Sequence, residues 1–155
     1  MTTTGAGEEL DSGDAARAID ALGMRRHPEG GWYVETWRAV APDGERPRGS
    51  AILYLLASGE RSHWHRVDAD EVWAYSAGGA LELRVWADAD AATTVHRLGS
   101  EIDAGDAVQA VVPAGAWQTA RPLGAWTLVG CVVTPAFEFT GFELAPPGWE
   151  PPVAD

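Results

Sequence analysis

Lysine is absent from this chain of 155 residues, and cysteine occurs only once, at Cys131. All 11 basic residues are therefore arginines, and 23 acidic residues outnumber them to give a net charge of −12. Binding to nucleic acids or to anionic membranes requires clustered basic residues, so this charge balance argues against both partners. Because one cysteine cannot form an intramolecular disulfide, the fold does not depend on an oxidising compartment.

Long apolar segments are also missing. No stretch approaches the roughly 18 apolar residues that a transmembrane helix needs, and the polar segment 1–14 lacks the apolar core of a signal peptide. We therefore expect a cytoplasmic protein. What the chain has instead is 46% hydrophobic residues, eight tryptophans, 18 glycines and 10 prolines. That composition is typical of one packed domain built from short strands and turns.

The order of apolar and turn-forming residues predicts a mostly β chain with one helix. Residues 14–22 offer a capping residue and an apolar side, and Gly23 is a natural terminator, so a helix is predicted there. We expect a flexible tail over 1–12, a single domain over 13–145 and a proline-rich tail over 146–155. About ten short strands favour an antiparallel sandwich or barrel with room for one ligand. The predicted strands are 32–38, 50–57, the segment around His63 and His65, 71–76, 81–86, 94–98, 107–112, 117–120, 126–133 and 137–144, with an acidic turn at 88–92.

The segment His63-Trp64-His65, followed by Glu71, carries the strongest signal of a functional site. Side chains alternate along a strand, so His63 and His65 are predicted to point to the same face. Glu71, on a returning strand, would then bring its carboxylate to both imidazoles. Two imidazoles and a carboxylate form a ligand set that Fe, Mn, Ni or Zn would accept.

The spacing of these residues resembles the first motif of the cupin superfamily, Gly-x5-His-x-His-x(3–4)-Glu-x6-Gly. Glu71 and Gly78 match its last part, while the gap from His65 to Glu71 is one residue longer than the usual pattern. The second cupin motif is Gly-x5-Pro-x-Gly-x2-His. Its Pro-x-Gly-x2 part matches residues 113–117, and Gln118 stands where the histidine belongs.

Five further stretches narrow the resemblance to DUF985, or cupin 5, a cupin subfamily of unassigned function. This resemblance implies an all-β, RmlC-like jelly roll (a double-stranded β-helix) with one short N-terminal helix, a small-molecule pocket in the barrel and a homodimer. It also implies that His65, Glu71 and Gln118 belong to the shared pattern, whereas position 63 varies. The stretches are His27-Pro28-Glu29-Gly30-Gly31-Trp32-Tyr33, Trp64-His65-Arg66, Asp70-Glu71-Val72-Trp73, Val112-Pro113-Ala114-Gly115-Ala116-Trp117-Gln118 and Val129-Gly130-Cys131.

Two kinds of chemistry fit these residues, and both stay open. The first is metal-assisted, with Gln118 added to the His-His-Glu set as a weak fourth ligand. The second needs no metal and follows an analogy with cupin sugar epimerases. In that reading His65 with Glu71 is the general base, and Tyr75 or Tyr54 is the acid.

Aromatic and amide side chains are predicted to line the pocket, namely Tyr54, Trp73, Gln109 and Trp117. His27 either reaches the pocket rim or fixes the turn that follows it. A protein that only senses or carries a polar metabolite would need the pocket and no catalytic group. An enzyme acting on a small polar or sugar-like metabolite and a non-catalytic binding module therefore remain as alternatives.

Overall fold

The computed structural model describes residues 12–87 and 91–153. Within these residues the chain forms one α-helix, eleven β-strands and two short 3-10 helices. The helix α1 is Ser12–Leu22, and the strands are β1 Arg25–Arg26, β2 Trp32–Arg38, β3 Ser50–Ala57, β4 Ser62–Val67, β5 Asp70–Gly78, β6 Leu81–Trp86, β7 Thr94–Leu98, β8 Gln109–Val112, β9 Trp117–Pro122, β10 Trp126–Thr134 and β11 Phe142–Leu144; the 3-10 helices are Ile102–Ala104 and Phe139–Gly141.

Strands β2, β3, β6 and β7 have the predicted bounds, while the last predicted strand, 137–144, is wrong over its first part. Phe139–Gly141 is a 3-10 helix, and β11 begins only at Phe142, where the chain reaches Val67 of β4 and pairs with it. Strand β1 was not predicted, because two residues are too few to show an alternating pattern. The expected tail over 1–12 and the turn at 88–92 lie largely outside the described residues, and the helix already begins at Ser12.

The strands form two antiparallel sheets, as the jelly-roll expectation requires. Sheet A has six strands in the order β1-β2-β3-β10-β5-β8, and sheet B has five in the order β11-β4-β9-β6-β7. Neighbours in each sheet are mostly distant in sequence, so the chain crosses repeatedly between the sheets. The all-β fold class with one short helix is confirmed.

The main core lies between the sheets and follows from the alternation along each strand. Every second side chain of β3 and β10 points inward, among them Tyr54 and Val129. They pack against Leu81 and Leu83 of sheet B in the same buried cluster. A second apolar cluster lies on the outer face of sheet A, where α1 covers Leu55 and its neighbours. Among the described residues, no helix is long and apolar enough to cross a membrane.

Candidate functional site

A cavity of about 240 Å³ opens between the sheets at one end of the barrel. Its inner wall is polar, its sides are aliphatic, and aromatic and charged side chains stand around its mouth. Strands β1 to β5 and β10 contribute to it, together with the segment before β11. The lining residues are Arg25, His27, Glu29, Tyr33, Glu35, Arg38, Ser50, Ile52, His65, Val67, Glu71, Cys131, Val133, Phe137 and Phe139.

An ion pair between His65 and Glu29 occupies the inner wall. His65 Nε2 lies 2.9 Å from Glu29 Oε2, and the two residues are only 2% and 6% exposed. The other ring nitrogen, Nδ1, lies 2.7 Å from the backbone oxygen of His63. Both nitrogens of the ring therefore face acceptors, which is the environment that favours the doubly protonated imidazolium.

The charges of this pair support each other against burial. Burial alone would lower the pKa of His65, but the Glu29 carboxylate beside it raises that pKa to about 9. Burial would likewise raise the pKa of Glu29, and the charge and hydrogen bond of His65 lower it instead. At neutral pH the pair is accordingly an imidazolium and a carboxylate.

Glu29 reaches this position because the chain reverses sharply at His27-Pro28-Glu29-Gly30-Gly31. His27 Nδ1 accepts a hydrogen bond from the Glu29 backbone N–H at 3.1 Å, so His27 does fix the turn as well as line the cavity. Gly30 has φ +104°, and a Cβ there would lie 2.3 Å from the Arg61 backbone oxygen. Glycine is thus required at that position, and the turn that it allows directs Glu29 inward.

Glu71 forms the second polar element of the wall. Its Oε1 accepts hydrogen bonds from Trp73 Nε1 at 3.1 Å and from Gln118 Nε2 at 2.9 Å. Trp73 Nε1 also donates to Gln118 Oε1 at 2.9 Å, so the three side chains form a closed network. Burial, reinforced by the nearby negative charge of Glu29, raises the pKa of Glu71 to about 7.

His63 does not share a face with His65, and this expectation is corrected. The pairing of β4 with β9 shifts register between Ser62 and His65, which interrupts the alternation on which the expectation depended. Trp64 and His65, although consecutive, are both buried, whereas His63 is exposed. The two imidazoles predicted to act together are therefore separated by the strand itself.

The other predicted residues are divided between the site and the rest of the molecule. Gln118 and Trp73 belong to the Glu71 network, and Tyr54 lies beneath the cavity with its ring 5.8 Å from that of His27. Tyr75, in contrast, does not line the cavity. It packs against the core farther along β5 and donates to the Gly78 oxygen at 2.6 Å.

Gln109 and Trp117 also lie away from the cavity, because alternation directs them outward. Gln109 is exposed on β8, while its neighbour Ala110 is buried. Gln118 takes the inner position of β9, so Trp117 lies on the outer face, where its ring is 4.6 Å from that of Trp149. Neither side chain can orient a ligand in the barrel.

The residues present do not fit a resident metal ion. In the part of the chain that the structure describes, no group of three or more His, Cys, Asp or Glu side chains is arranged to hold one. Both His65 nitrogens are engaged, by Glu29 and by the His63 backbone, and Glu71 Oε1 already accepts two hydrogen bonds. Gln118, the predicted fourth ligand, is engaged with Glu71 and Trp73, and His63 is exposed.

Sequence reasoning missed Glu29, the partner of His65. An acidic residue in a glycine-rich turn is expected to be exposed to solvent, and this turn is far from His65 in sequence. Arg25 and Arg38 at the cavity mouth gave no signal either. The one clue was that Glu29 stands within the His27–Tyr33 stretch that carries part of the DUF985 resemblance.

Comparison with known proteins places the chain in a family. Residues 16–145 match the family model described as "Cupin superfamily (DUF985)". A Shewanella oneidensis protein of known crystal structure is 37% identical, with a TM-score of 0.79 over 84% of each chain. A hypothetical protein from Leishmania major is 30% identical, with a TM-score of 0.77 over 84% of this chain and 86% of that one.

Similarity to more distant solved structures extends only to the fold. Oxalate decarboxylase from Bacillus subtilis is 16% identical, with a TM-score of 0.59 over 77% of this chain and 29% of that one. No curated protein matches the chain in sequence.

Proposed function

The chain belongs to the DUF985 family of the cupin superfamily, and from that premise we propose that it is an enzyme that moves a proton on a small polar metabolite bound in the barrel cavity. The observation that carries the proposal is Glu71, a buried carboxyl group on the cavity wall with a pKa of about 7. A general acid–base catalyst works best when its pKa lies near the working pH. Glu71 meets that condition without any metal.

Glu71 is better suited to exchange the proton than His65. Both hydrogen bonds that Glu71 accepts go to Oε1, which leaves Oε2 as the oxygen through which it can meet a ligand. His65 has neither nitrogen free, so it acts as a fixed positive charge that favours the carboxylate form of Glu71. The proton carrier and the charge that tunes it are then separate groups.

The reaction class that follows is isomerisation or epimerisation. Ionised Glu71 takes a proton from a C–H group next to a carbonyl of the ligand and leaves a planar enolate. The resulting acid returns the proton at the neighbouring position, or at the other face once the enolate has turned in the cavity. Nothing is oxidised or reduced, so no redox partner is required. A protein that merely senses or carries a polar metabolite is the alternative, and it would need only the cavity.

Proton exchange with solvent provides the test. In D2O, proton NMR should show loss of the signals next to the carbonyl group in a reactive member of a panel of small aldoses, ketoses and 2-oxo acids. We expect the exchange to rise with pH through about 7, as Glu71 ionises. Glu71→Gln should abolish it, while Glu143→Gln, an exposed carboxylate paired with Arg66, should not.

The alternatives predict different results. Exchange that persists in Glu71→Gln contradicts the proposal, and tight binding without exchange favours the sensor or carrier. Protein purified without added metal should be active and should remain so in a chelator. Activity that disappears in the chelator and returns with Fe, Mn, Ni or Zn would favour metal-assisted chemistry instead.

We also propose that the homodimer forms through the outer face of sheet A. A row of apolar side chains crosses five adjacent strands there, with Trp37 opposite Ala51, then Val132, Val72 and Val111 in register. Trp37, Val132 and Val111 are 50%, 41% and 58% exposed. Exposed apolar rows of this kind mark protein interfaces.

Light scattering after size exclusion tests this surface. The wild-type chain should be a dimer at micromolar concentration, and Val132→Asp should be a folded monomer. Val95→Asp replaces a valine on β7 of sheet B that is 55% exposed, and this variant should remain a dimer. A monomeric wild-type chain, or a Val132→Asp variant that stays dimeric, would contradict the proposal.

A further inference from the structure

One arginine at the cavity mouth has no anionic partner among the residues that the structure describes. Arg38 is held by both oxygens of Glu35, at 3.1 and 3.0 Å, and His65 is held by Glu29. Arg25 also lines the cavity, but within residues 12–87 and 91–153 no carboxylate lies within 4 Å of it. Its guanidinium lies over the Tyr33 ring, 5.3 Å from the centroid.

The strand geometry aims Arg25 at the cavity. Arg25 pairs with Tyr33 across β1 and β2, and Tyr33 is a lining residue, so the two side chains share the inner face. Arg26 pairs with Trp32 and lies on the outer face, where it packs over that ring and bonds Glu60. The two adjacent arginines thus point in opposite directions, and of the two only Arg26 is paired with a carboxylate among the described residues.

We propose that Arg25 binds the carboxylate of the substrate, which is a small monocarboxylic acid with a flat apolar body. This inference rests on the proposed function, because it assigns the substrate class of the same cavity. The carboxylate pairs with Arg25 at the mouth, the body lies against Tyr33 and Phe137, and the reacting group reaches Glu71. A guanidinium binds a carboxylate in a bidentate geometry, which fixes orientation as well as charge.

Size and charge favour a carboxylate over a phosphate. The cavity, about 240 Å³, is smaller than the roughly 300–1,000 Å³ of pockets for drug-sized ligands. The guanidinium of Arg25 balances one negative charge, and the second charge of a phosphate dianion would find no unpaired cation among the described residues that line the cavity. A compact monoanion suits both features.

Calorimetric titration of the full chain at pH 7 tests the inference with benzoate, phenylacetate and 3-phenylpropionate, the amide of each acid, and phenyl phosphate. At least one acid should bind about tenfold more tightly than its amide, and phenyl phosphate should bind no better than that acid. Arg25→Gln should weaken the acid to the level of the amide and leave the amide unchanged. Arg26→Gln, which removes the same charge from the adjacent residue, should keep the preference.

Equal binding of acid and amide to the wild-type chain would overturn the inference. So would equal losses in Arg25→Gln and Arg26→Gln, tighter binding of phenyl phosphate, or no binding of any of the three acids at millimolar concentration. The proton-exchange assay on the wild-type chain separates this inference from the proposed function. If the acid preference survives in a wild-type chain that shows no proton exchange, the substrate class stands and the catalytic role of Glu71 fails.

Discussion

Replacing Glu71 with glutamine should abolish proton exchange and, above pH 7, stabilise the protein. The amide retains an oxygen for the bonds from Trp73 and Gln118 and removes a carboxylate that burial disfavours. The fold raises the pKa of this group from 4.5 to about 7. At about 1.4 kcal/mol per pKa unit, the buried charge costs the native state about 3 kcal/mol once it is fully ionised.

The sign and the pH window follow from the two pKa values. Because the folded pKa of Glu71 lies above the unfolded one, the penalty is absent below pH 4.5, grows as the pH rises through about 7 and is constant at higher pH. The raised pKa of His65 removes stability between pH 6.5 and about 9. Most of that rise comes from Glu29, which both proteins retain, while Glu71 contributes a smaller part, so most of this loss is common to the two proteins.

Urea unfolding at pH 5, 7 and 8.5 measures the effect. Glu71→Gln and the wild type should be close in stability at pH 5, and the variant should be ahead by up to about 3 kcal/mol at pH 8.5. Glu143→Gln provides the exposed control and should show little change at any pH. A stability difference for Glu71→Gln that is the same at all three pH values, or a variant that is less stable at pH 8.5, would refute the reasoning.

Two further predictions concern the turn that supplies Glu29. Glu29→Gln should lower the pKa of His65 well below about 9, because burial remains while the carboxylate that raises the pKa most is lost. NMR titration of the histidine ring measures this pKa, and an unchanged value would show that Glu29 is not the cause. Gly31→Ala should destabilise the protein by about 1 kcal/mol for its φ of +79° and by about 1–3 kcal/mol more because its Cβ would lie 2.7 Å from Leu56 Cδ2. Gly44→Ala, with φ +80° and open space around it, should show only the first loss in urea, and equal losses would contradict the steric account.

The sequence predicted the strands well because each carries its own local evidence. Alternation and flanking turn residues fix Trp32–Arg38 and Ser50–Ala57 without any knowledge of their partners. The face of the sheet to which a given side chain points depends less on local sequence. The register shift in β4 depends on how that strand pairs with β9, so the exposure of His63 could not be predicted from alternation.

The pairing of His65 with Glu29 could not be predicted either, because it also depends on contacts between segments that are distant in sequence. The sequence places Glu29 in a turn. The carboxylate reaches His65 only because that turn packs against β4, where the His63 backbone N–H donates to the Glu29 backbone oxygen at 2.8 Å. Strand alternation and turn residues predicted which polar residues lie near the end of the barrel. They did not predict which of them become partners across it.

The state of Glu71 supports the proposed catalytic site over a purely structural polar core. Glu29 and His65 neutralise each other, and a buried ion pair of this kind needs no third charge. The hydrogen bonds from Trp73 and Gln118 need only an oxygen, which an uncharged glutamine would supply at lower cost. A carboxyl group in that position is therefore worse for the fold than its amide whenever the pH exceeds its pKa. What the carboxyl provides and the amide does not is a proton that it can give and take near neutral pH, at a cavity large enough to hold a small molecule.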